Sequence, residues 1–312
     1  MGLSAINIAG ISVERLVSFC DIVDAGSVVA AARKSGVAQG QYSRQIRDLE
    51  RALEAKLFEK EGRFLRLTKD GVKLGSLTRA YFAGLSEMSG GAGSQRALKM
   101  GAAESIMRWV LVPRYSEVLL TVDGRLDVEN HRTNRIIELV LSGGLDLGIV
   151  RSDAVTDELE ATSFPALRYA LMVPRRVLPD KSATGIRSVG ELPFVLIDGD
   201  GRFVRSVIRL MEQNELPLKV VARVESFNLA VELAKVMSAA TIIPMQAASE
   251  FAADQFASVE IEGMGKLDRA LSVVVSKRTA ELSTRARRVA TRLGRLFNSA
   301  SLSEPSRRIL QP

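Results

Sequence analysis

"VAQGQYSRQIRDLERALEAKLFEKEGRFLRLTKDGVKL", Val37 to Leu74, decides how the first part of this chain folds. At about 100° per residue, Tyr42, Ile46, Leu49 and Leu53 fall on one narrow stripe of a helix over 38–53. The opposite face carries Gly40, Ser43, Arg44, Arg47 and Arg51, flanked at its start by Gln39 and Gln41. Such a face suits duplex DNA: arginine bridges guanine, glutamine bridges adenine, and serine and arginine hold phosphates. An open helix N-terminus adds backbone N–H groups for a phosphate. A merely solvated polar face would carry the same pattern, so the neighbouring segments decide.

Upstream, "VERLVSFCDIVDAG" places Leu16, Val17, Phe19, Cys20 and Val23 on one broad apolar face and ends at Gly26. Ser27 stands where an N-cap belongs, opening the short helix "SVVAAARKS", which Gly36 stops. A short capped helix, a tight turn and a basic helix make a helix-turn-helix. Downstream, "LFEK" and "FLRLT" read as a two-stranded wing around Glu61-Gly62, whose Arg63 and Arg66 can meet a phosphate or the minor groove. Thr68 then caps a helix over 69–88, with Leu74, Leu77, Tyr81, Leu85 and Met88 in steps of three and four. That spacing suits a dimer seam formed by Leu74, Leu77, Tyr81 and Leu85. "SGGAGS", 89–94, reads as a hinge.

Beyond the hinge the texture changes. Short apolar runs ("ALKMGAA", "RLDVENH", "LDLGIV", "YALMVP", "FVLID", "LKVVARV", "ATIIPM", "SVEIE", "LSVVVSK") alternate with helical stretches such as "RTNRIIELVLSGG" and "SFNLAVELAKVMS". Strand–helix alternation predicts an α/β region with mostly parallel sheets, divided into two subdomains with a cleft between them. The expected division is 1–68 for the winged helix-turn-helix, 69–94 for a linker and dimerisation helix with its hinge, and 95–312 for the α/β region. Within the last, 95–165 plus 268–300 form one subdomain and 166–267 the other. The basic segment "KRTAELSTRARRVATRLGRLF" reads as its last helix, with a solvated face.

Charge follows the same division. The 312-residue chain carries a net charge of +7, with 13 Lys/Arg against 10 Asp/Glu over 1–95, 21 against 24 over 96–276, and 9 against 2 over 277–312. A basic head over a slightly acidic body is consistent with a polyanion partner. No stretch of about 18 apolar residues and no secretory leader is evident, and one cysteine, Cys20, allows no intrachain disulfide. The expectation is a cytoplasmic protein that does not enter a membrane.

An enzyme has little to stand on: the single histidine, His131, has no cysteine partner near it. Metal-hydrolase, P-loop and G-x-S-x-G spacings are missing, and no cofactor or metal is expected. A small-molecule-binding protein without a DNA role would suit 96–276, but it would leave the first 90 residues idle.

Residues 13–72 resemble the winged helix-turn-helix of the LysR-type transcriptional regulators. The matching residues are Gly26-Ser27, Ala31-Ala32, Val37 and Gln39, Ser43-Arg44-Gln45-Ile46, Leu49-Glu50, Leu57-Phe58, and Leu67-Thr68 with Gly71. The departures are Gly40, where the family commonly has proline, and Val28-Val29, where an aromatic residue or threonine is more usual. "LKMGAAESIMRWVLVP", "ELVLSGGLDLGIV" and "ATIIPMQAA" extend the resemblance more weakly, with Ser238-Ala239-Ala240 replacing common glycines. The resemblance implies a periplasmic-binding-protein-like pair of subdomains joined by crossover strands. It further implies a regulator that binds a dyad operator in double-stranded DNA as a homodimer or homotetramer, is switched by a small-molecule effector, and has RNA polymerase as a further partner. The DNA-contacting residues would be Ser27, Gln39, Gly40, Gln41, Ser43, Arg44, Arg47, Arg51, Arg63 and Arg66.

In doubly wound sheets, ligands sit beyond the carboxyl ends of the strands. The loops in question are Ala102–Ser105, His131–Asn134, Val150–Ser152, Asp198–Arg202, Ser226–Asn228 and Thr241–Pro244. They offer Ala103, Glu104, Ser105, Thr133, Asn134, Val150, Arg151, Asp198, Gly199, Arg202, Ser226, Phe227, Thr241 and Pro244 as candidate effector contacts. Ser105, Thr133 and Ser226 each precede a helical pattern and read as N-caps. Converging helix starts and Arg202 favour a small anion, whereas Asp198 and Asp200 favour a cation or a polar neutral compound. The sequence leaves both open.

Overall fold

The computed structural model describes residues 10–61, 64–88, 97–122, 124–178, 193–198, 201–216, 218–282, 284–299 and 308–309. The expected hinge, Arg63, Gly199 and Asp200 lie outside them.

The head begins with helix α1 (Val13–Ala25), α2 (Val28–Ser35) and α3 (Gln39–Leu53). Ser27 caps α2 by accepting the Ala30 N–H at 3.1 Å. Gly36 turns the chain out of α2 with a φ of 72° and donates its N–H to Ala32 at 3.0 Å. A left-handed residue here is one that only glycine adopts without cost. Phe19, Ile22, Ala31, Tyr42, Ile46, Leu49 and Leu57 form the head's core, so the predicted stripe on α3 is the face that packs. Strands β1 (Phe58–Glu61) and β2 (Phe64–Leu67) pair antiparallel as the wing.

Helix α4 (Lys69–Met88) follows, its first turn capped by Thr68 Oγ1, which accepts the Gly71 N–H at 3.0 Å. Leu74, expected in the dimer seam, is half-buried against the head's own core. Leu77, Tyr81 and Leu85 remain exposed. Arg79, on another side of α4, is buried. Its Nη2 lies 2.6 Å from Asp24 Oδ1 on α1, and Lys99 Nζ lies 3.6 Å from the other oxygen of the same carboxylate.

Strands β3 (Leu98–Ala102), β4 (Leu126–Asn130), β5 (Leu147–Arg151), β6 (Leu159–Leu167) and β12 (Arg269–Ser276) form one sheet, in the order β4-β3-β5-β12-β6. Strands β7 (Tyr169–Pro174), β8 (Pro193–Ile197), β9 (Lys219–Val224), β10 (Ala240–Pro244), β11 (Phe256–Glu260) and β13 (Arg308–Ile309) form the other, in the order β13-β11-β7-β10-β8-β9. Among the described residues parallel pairings outnumber antiparallel ones only narrowly, so both sheets are mixed: β12 runs antiparallel to β5 and β6, and β7 antiparallel to β10 and β11. Those antiparallel strands are the ones at which the chain changes sheets. It crosses at Arg168, between β6 and β7, and returns after β11 through the 3-10 turn Met264–Leu267 into β12.

The helices on these sheets are α5 (Glu104–Ile106), α6 (Tyr115–Thr121), α7 (Thr133–Ser142), α8 (Gly201–Gln213), α9 (Phe227–Met237), α10 (Lys277–Leu282) and α11 (Arg285–Ser299). In α11, Val289, Ala290, Leu293 and Phe297 are buried, while Arg287, Arg288 and Arg295 lie on the solvated face.

Candidate nucleic-acid interface and ligand cleft

On α3, Gln39, Gly40, Gln41, Arg44, Arg47 and Arg51 line the face turned away from the core, with Ser43 half-exposed among them. No side chain caps the helix start at Ala38, so the first turn presents its own N–H groups. Arg47 folds back only locally, donating from Nε to Ser43 O at 3.1 Å. Arg51 lies 3.2 Å from Asp48, which also binds Arg15 on α1. Two polar residues of the motif fix the helix and do not face outward. Gln45 accepts from Ser18 Oγ at 2.6 Å and donates to Glu14 at 2.7 Å, tying α3 to α1. Glu50 accepts the Leu57 N–H at 2.9 Å and holds the turn into the wing. Tyr42 is buried with its hydroxyl 2.9 Å from Asp21 Oδ2. Arg66 belongs to β2 of the wing, whereas Ser27 is half-buried as a cap.

The second site is the cleft at the carboxyl ends of β3, β4, β5 and of β8, β9, β10. Side chains from the two walls meet across it. Glu104 accepts from Ser226 Oγ at 2.8 Å and from Asn228 Nδ2. Arg132 donates to Glu225 at 2.9 Å, and Arg202 to Asp153 at 3.5 Å. At one end, Glu250 accepts from Arg108 Nη2 at 3.0 Å and from the buried Trp109 indole at 3.1 Å. Tyr169, Phe203 and Phe227 cluster beside the second wall in tilted and edge-to-face contacts, their centroids 4.9 to 5.9 Å apart.

Several expected contacts are not in this cleft. Val150 is buried in a cluster with Ile136, Val140 and Val274, because strand alternation turns it toward α7 and leaves Arg151 to the cleft. Thr241 is fully buried inside β10 and donates its hydroxyl to Val195 O at 3.0 Å, and Pro244 is buried as well. Ser105 sits inside α5, buried, and the N-cap is Ala103. Thr133 is likewise the first residue of α7, after Arg132. Ser226 does stand at the N-cap of α9, but its hydroxyl goes to Glu104 and not to the helix. Asn134 is exposed at the start of α7, and Asp198 lies 3.4 Å from Arg223.

Comparison with known proteins decides the family. Residues 13–72 match the bacterial regulatory helix-turn-helix protein, lysR family, and residues 91–297 match the LysR substrate binding domain. The chain belongs to the LysR family.

This LysR-family chain is a DNA-binding transcription regulator with an effector-binding domain. It is 26% identical over 244 residues to the HTH-type transcriptional regulator ClcR of Pseudomonas putida, covering 72% of this chain and 80% of that protein. A full-length OxyR variant from Pseudomonas aeruginosa shares its fold with a TM-score of 0.67 at 16% identity, over 95% of this chain and 99% of that one. Full-length CbnR complexed with its target DNA does so with a TM-score of 0.54 at 18% identity, over 88% and 100%.

Among the described residues of the LysR-family chain, no group of three or more His, Cys, Asp or Glu could hold a metal ion. No helix there is long and apolar enough to cross a membrane. His131 lies 3.0 Å from Glu129. Half-buried Cys20 packs against the head's core.

Sequence reading missed Trp109 and Glu250, Asp153, and the crossover residues Lys266, Asp268 and Arg269. Trp109 and Glu250 are 141 residues apart, Asp268 lies 99 from Tyr169, and Asp153 lies 49 from Arg202, so no local pattern marks these contacts. The indole hydrogen bond and then Arg108 hold the Glu250 carboxyl below the ordinary carboxylate range, against the opposing effect of burial. A depressed folded-state value contributes stability above that range, and the contribution is lost as the pH falls through the folded value. Thermal melting of Glu250→Gln is therefore expected to fall below wild type at neutral pH and to converge with it on acidification. Parallel curves at every pH would contradict this.

Proposed function

We propose that the protein binds a dyad operator in double-stranded DNA as a homodimer or homotetramer and changes its grip when a small molecule enters the cleft. The observation that carries this is the α3 surface, exposed and basic on one face and anchored through Tyr42, Ile46 and Leu49 on the other. The exposed Leu77, Tyr81 and Leu85 on α4 supply an apolar seam for a second copy. One head covers one half-site, and two heads are needed for a specific affinity. The working division is 1–68 for reading DNA, 69–94 for pairing, and 95–312 for sensing. The site of action is the cytoplasm, RNA polymerase is a further partner, and no catalytic step is assigned.

A ligand shifts the balance of two arrangements only by binding one of them more tightly. Mobility-shift titration on duplexes selected from random sequence tests the DNA part. Several phosphate contacts predict roughly tenfold or greater weakening for each doubling of salt. Retention that is absent, or indifferent to salt, would refute it.

A further inference from the structure

Beside Arg151 the cleft opens into a cavity of about 260 Å³. The first wall gives it Arg151 and Asp153, the start of α8 gives Arg202, Phe203 and Ser206, and the returning crossover gives Lys266, Asp268 and Arg269. Four cationic side chains thus face two carboxylates. Asp268 is engaged by groups outside the lining, whereas Asp153 pairs with two of the four cations themselves. Asp268 accepts the Tyr169 N–H at 3.3 Å and lies 3.9 Å from Arg168, which is not part of the lining. Burial, the largest influence on it, raises its carboxyl pKa. Asp153 is 3.2 Å from Arg151 Nε and 3.5 Å from Arg202 Nη1. In the latter pair both side chains are more than half exposed, at 62% and 59%, so the contact is a weak one that a ligand can replace.

The cations are also placed. The Arg269 guanidinium lies 5.2 Å from the Phe203 ring centroid, stacked over its face. Arg202 and Ser206 stand in the first two turns of α8, a 13-residue helix whose positive end opens here. A planar guanidinium matches a carboxylate with two parallel hydrogen bonds, which a point charge does not. The volume lies below the roughly 300–1,000 Å³ of drug-sized pockets, so the occupant is compact.

We propose that this cavity recognises a small dicarboxylate, held by Arg151, Arg202, Lys266 and Arg269. The inference rests on the reading of the cleft as the effector site and adds its charge and size. One carboxylate of the ligand competes with Asp153 for Arg202, which stands on the opposite wall. The ligand's bridge thereby replaces the protein's own bridge between the subdomains.

Equilibrium dialysis of the full chain against labelled succinate, at constant ionic strength and neutral pH, tests it. Glutarate is expected to displace the label, while succinamide and putrescine, neutral and cationic compounds of similar length, are not. Arg202→Gln and Arg269→Gln should each weaken binding roughly ten- to a hundredfold. Asp153→Asn removes a competing negative charge and should tighten binding several-fold, a sign that general damage to the fold does not produce. No retained succinate, displacement by succinamide or putrescine as effective as by glutarate, or weakening by Asp153→Asn would each overturn the proposal. DNA retention by the same preparation separates the two readings. Intact retention without dicarboxylate binding defeats only this inference, and loss of retention by the wild-type chain defeats the regulator reading.

Discussion

Replacing Arg44 and Arg47 together by alanine is expected to lower operator affinity about a hundredfold or more at fixed salt, with the melting temperature unchanged. Both side chains stand on the outer face of α3 and neither contributes to the head's core. Substitutions at such surface positions cost little stability, usually within about 0.5 kcal/mol. Their value lies in contact with the duplex, where a bidentate arginine on a base discriminates by about 1–3 kcal/mol. The single variants separate the roles. An arginine on a base edge relaxes specificity at one position when removed. An arginine on phosphate weakens binding to all sequences and flattens the salt slope by about one. Arg51 serves as the comparison, since Asp48 already neutralises part of its charge. Affinity in the double variant within a few-fold of wild type would remove α3 as the reading helix.

The largest effect on stability is expected at Gly71. It lies in the first turn of α4, where that helix crosses the end of the wing. A Cβ here would stand 2.2 Å from the carbonyl oxygen of Leu57 and 2.9 Å from Leu67 Cδ2. The carbonyl cannot move aside cheaply, because it accepts the Thr68 N–H at 3.1 Å. Forcing a methyl group into a packed site costs typically about 1–3 kcal/mol, and contact with backbone places Gly71→Ala toward the upper end of that range. The denaturation midpoint of the full chain should fall accordingly. DNA affinity should fall too, because the start of α4 and the wing lose their fixed relation. An unchanged midpoint would mean that helix and wing do not dock as described.

The head was legible because each boundary has a chemical marker close to it in sequence. Ser27, Gly36 and Thr68 are caps or turns recognisable by residue type, and the stripe of Tyr42, Ile46 and Leu49 on α3 has helical spacing. All nine apolar runs of the sensing region became strands, β3–β5 and β7–β12. Strand β6 escaped notice for a physical reason. In Leu159–Leu167 only Leu159, Phe164 and Leu167 are buried, the strand lies at a sheet edge, and it contains Pro165. Its apolar signal is weaker than that of a central strand. The cleft was legible as a place but not residue by residue. Whether Val150 or Arg151 faces the cleft depends on the phase of the pleat at the end of β5. The partnership of Glu104 with Asn228, or of Trp109 with Glu250, exists only after two sheets have closed on each other.

The contact of Arg79 and Lys99 with Asp24 has a mechanical consequence. At this junction α1, α4 and β3 share one carboxylate, and next to it Gly75 lies so close to the Ser142 carbonyl that a Cβ would be 2.9 Å from the oxygen. Turning the head against the first sheet would therefore have to part Lys99 from Asp24 and lift Gly75 away from the Ser142 carbonyl.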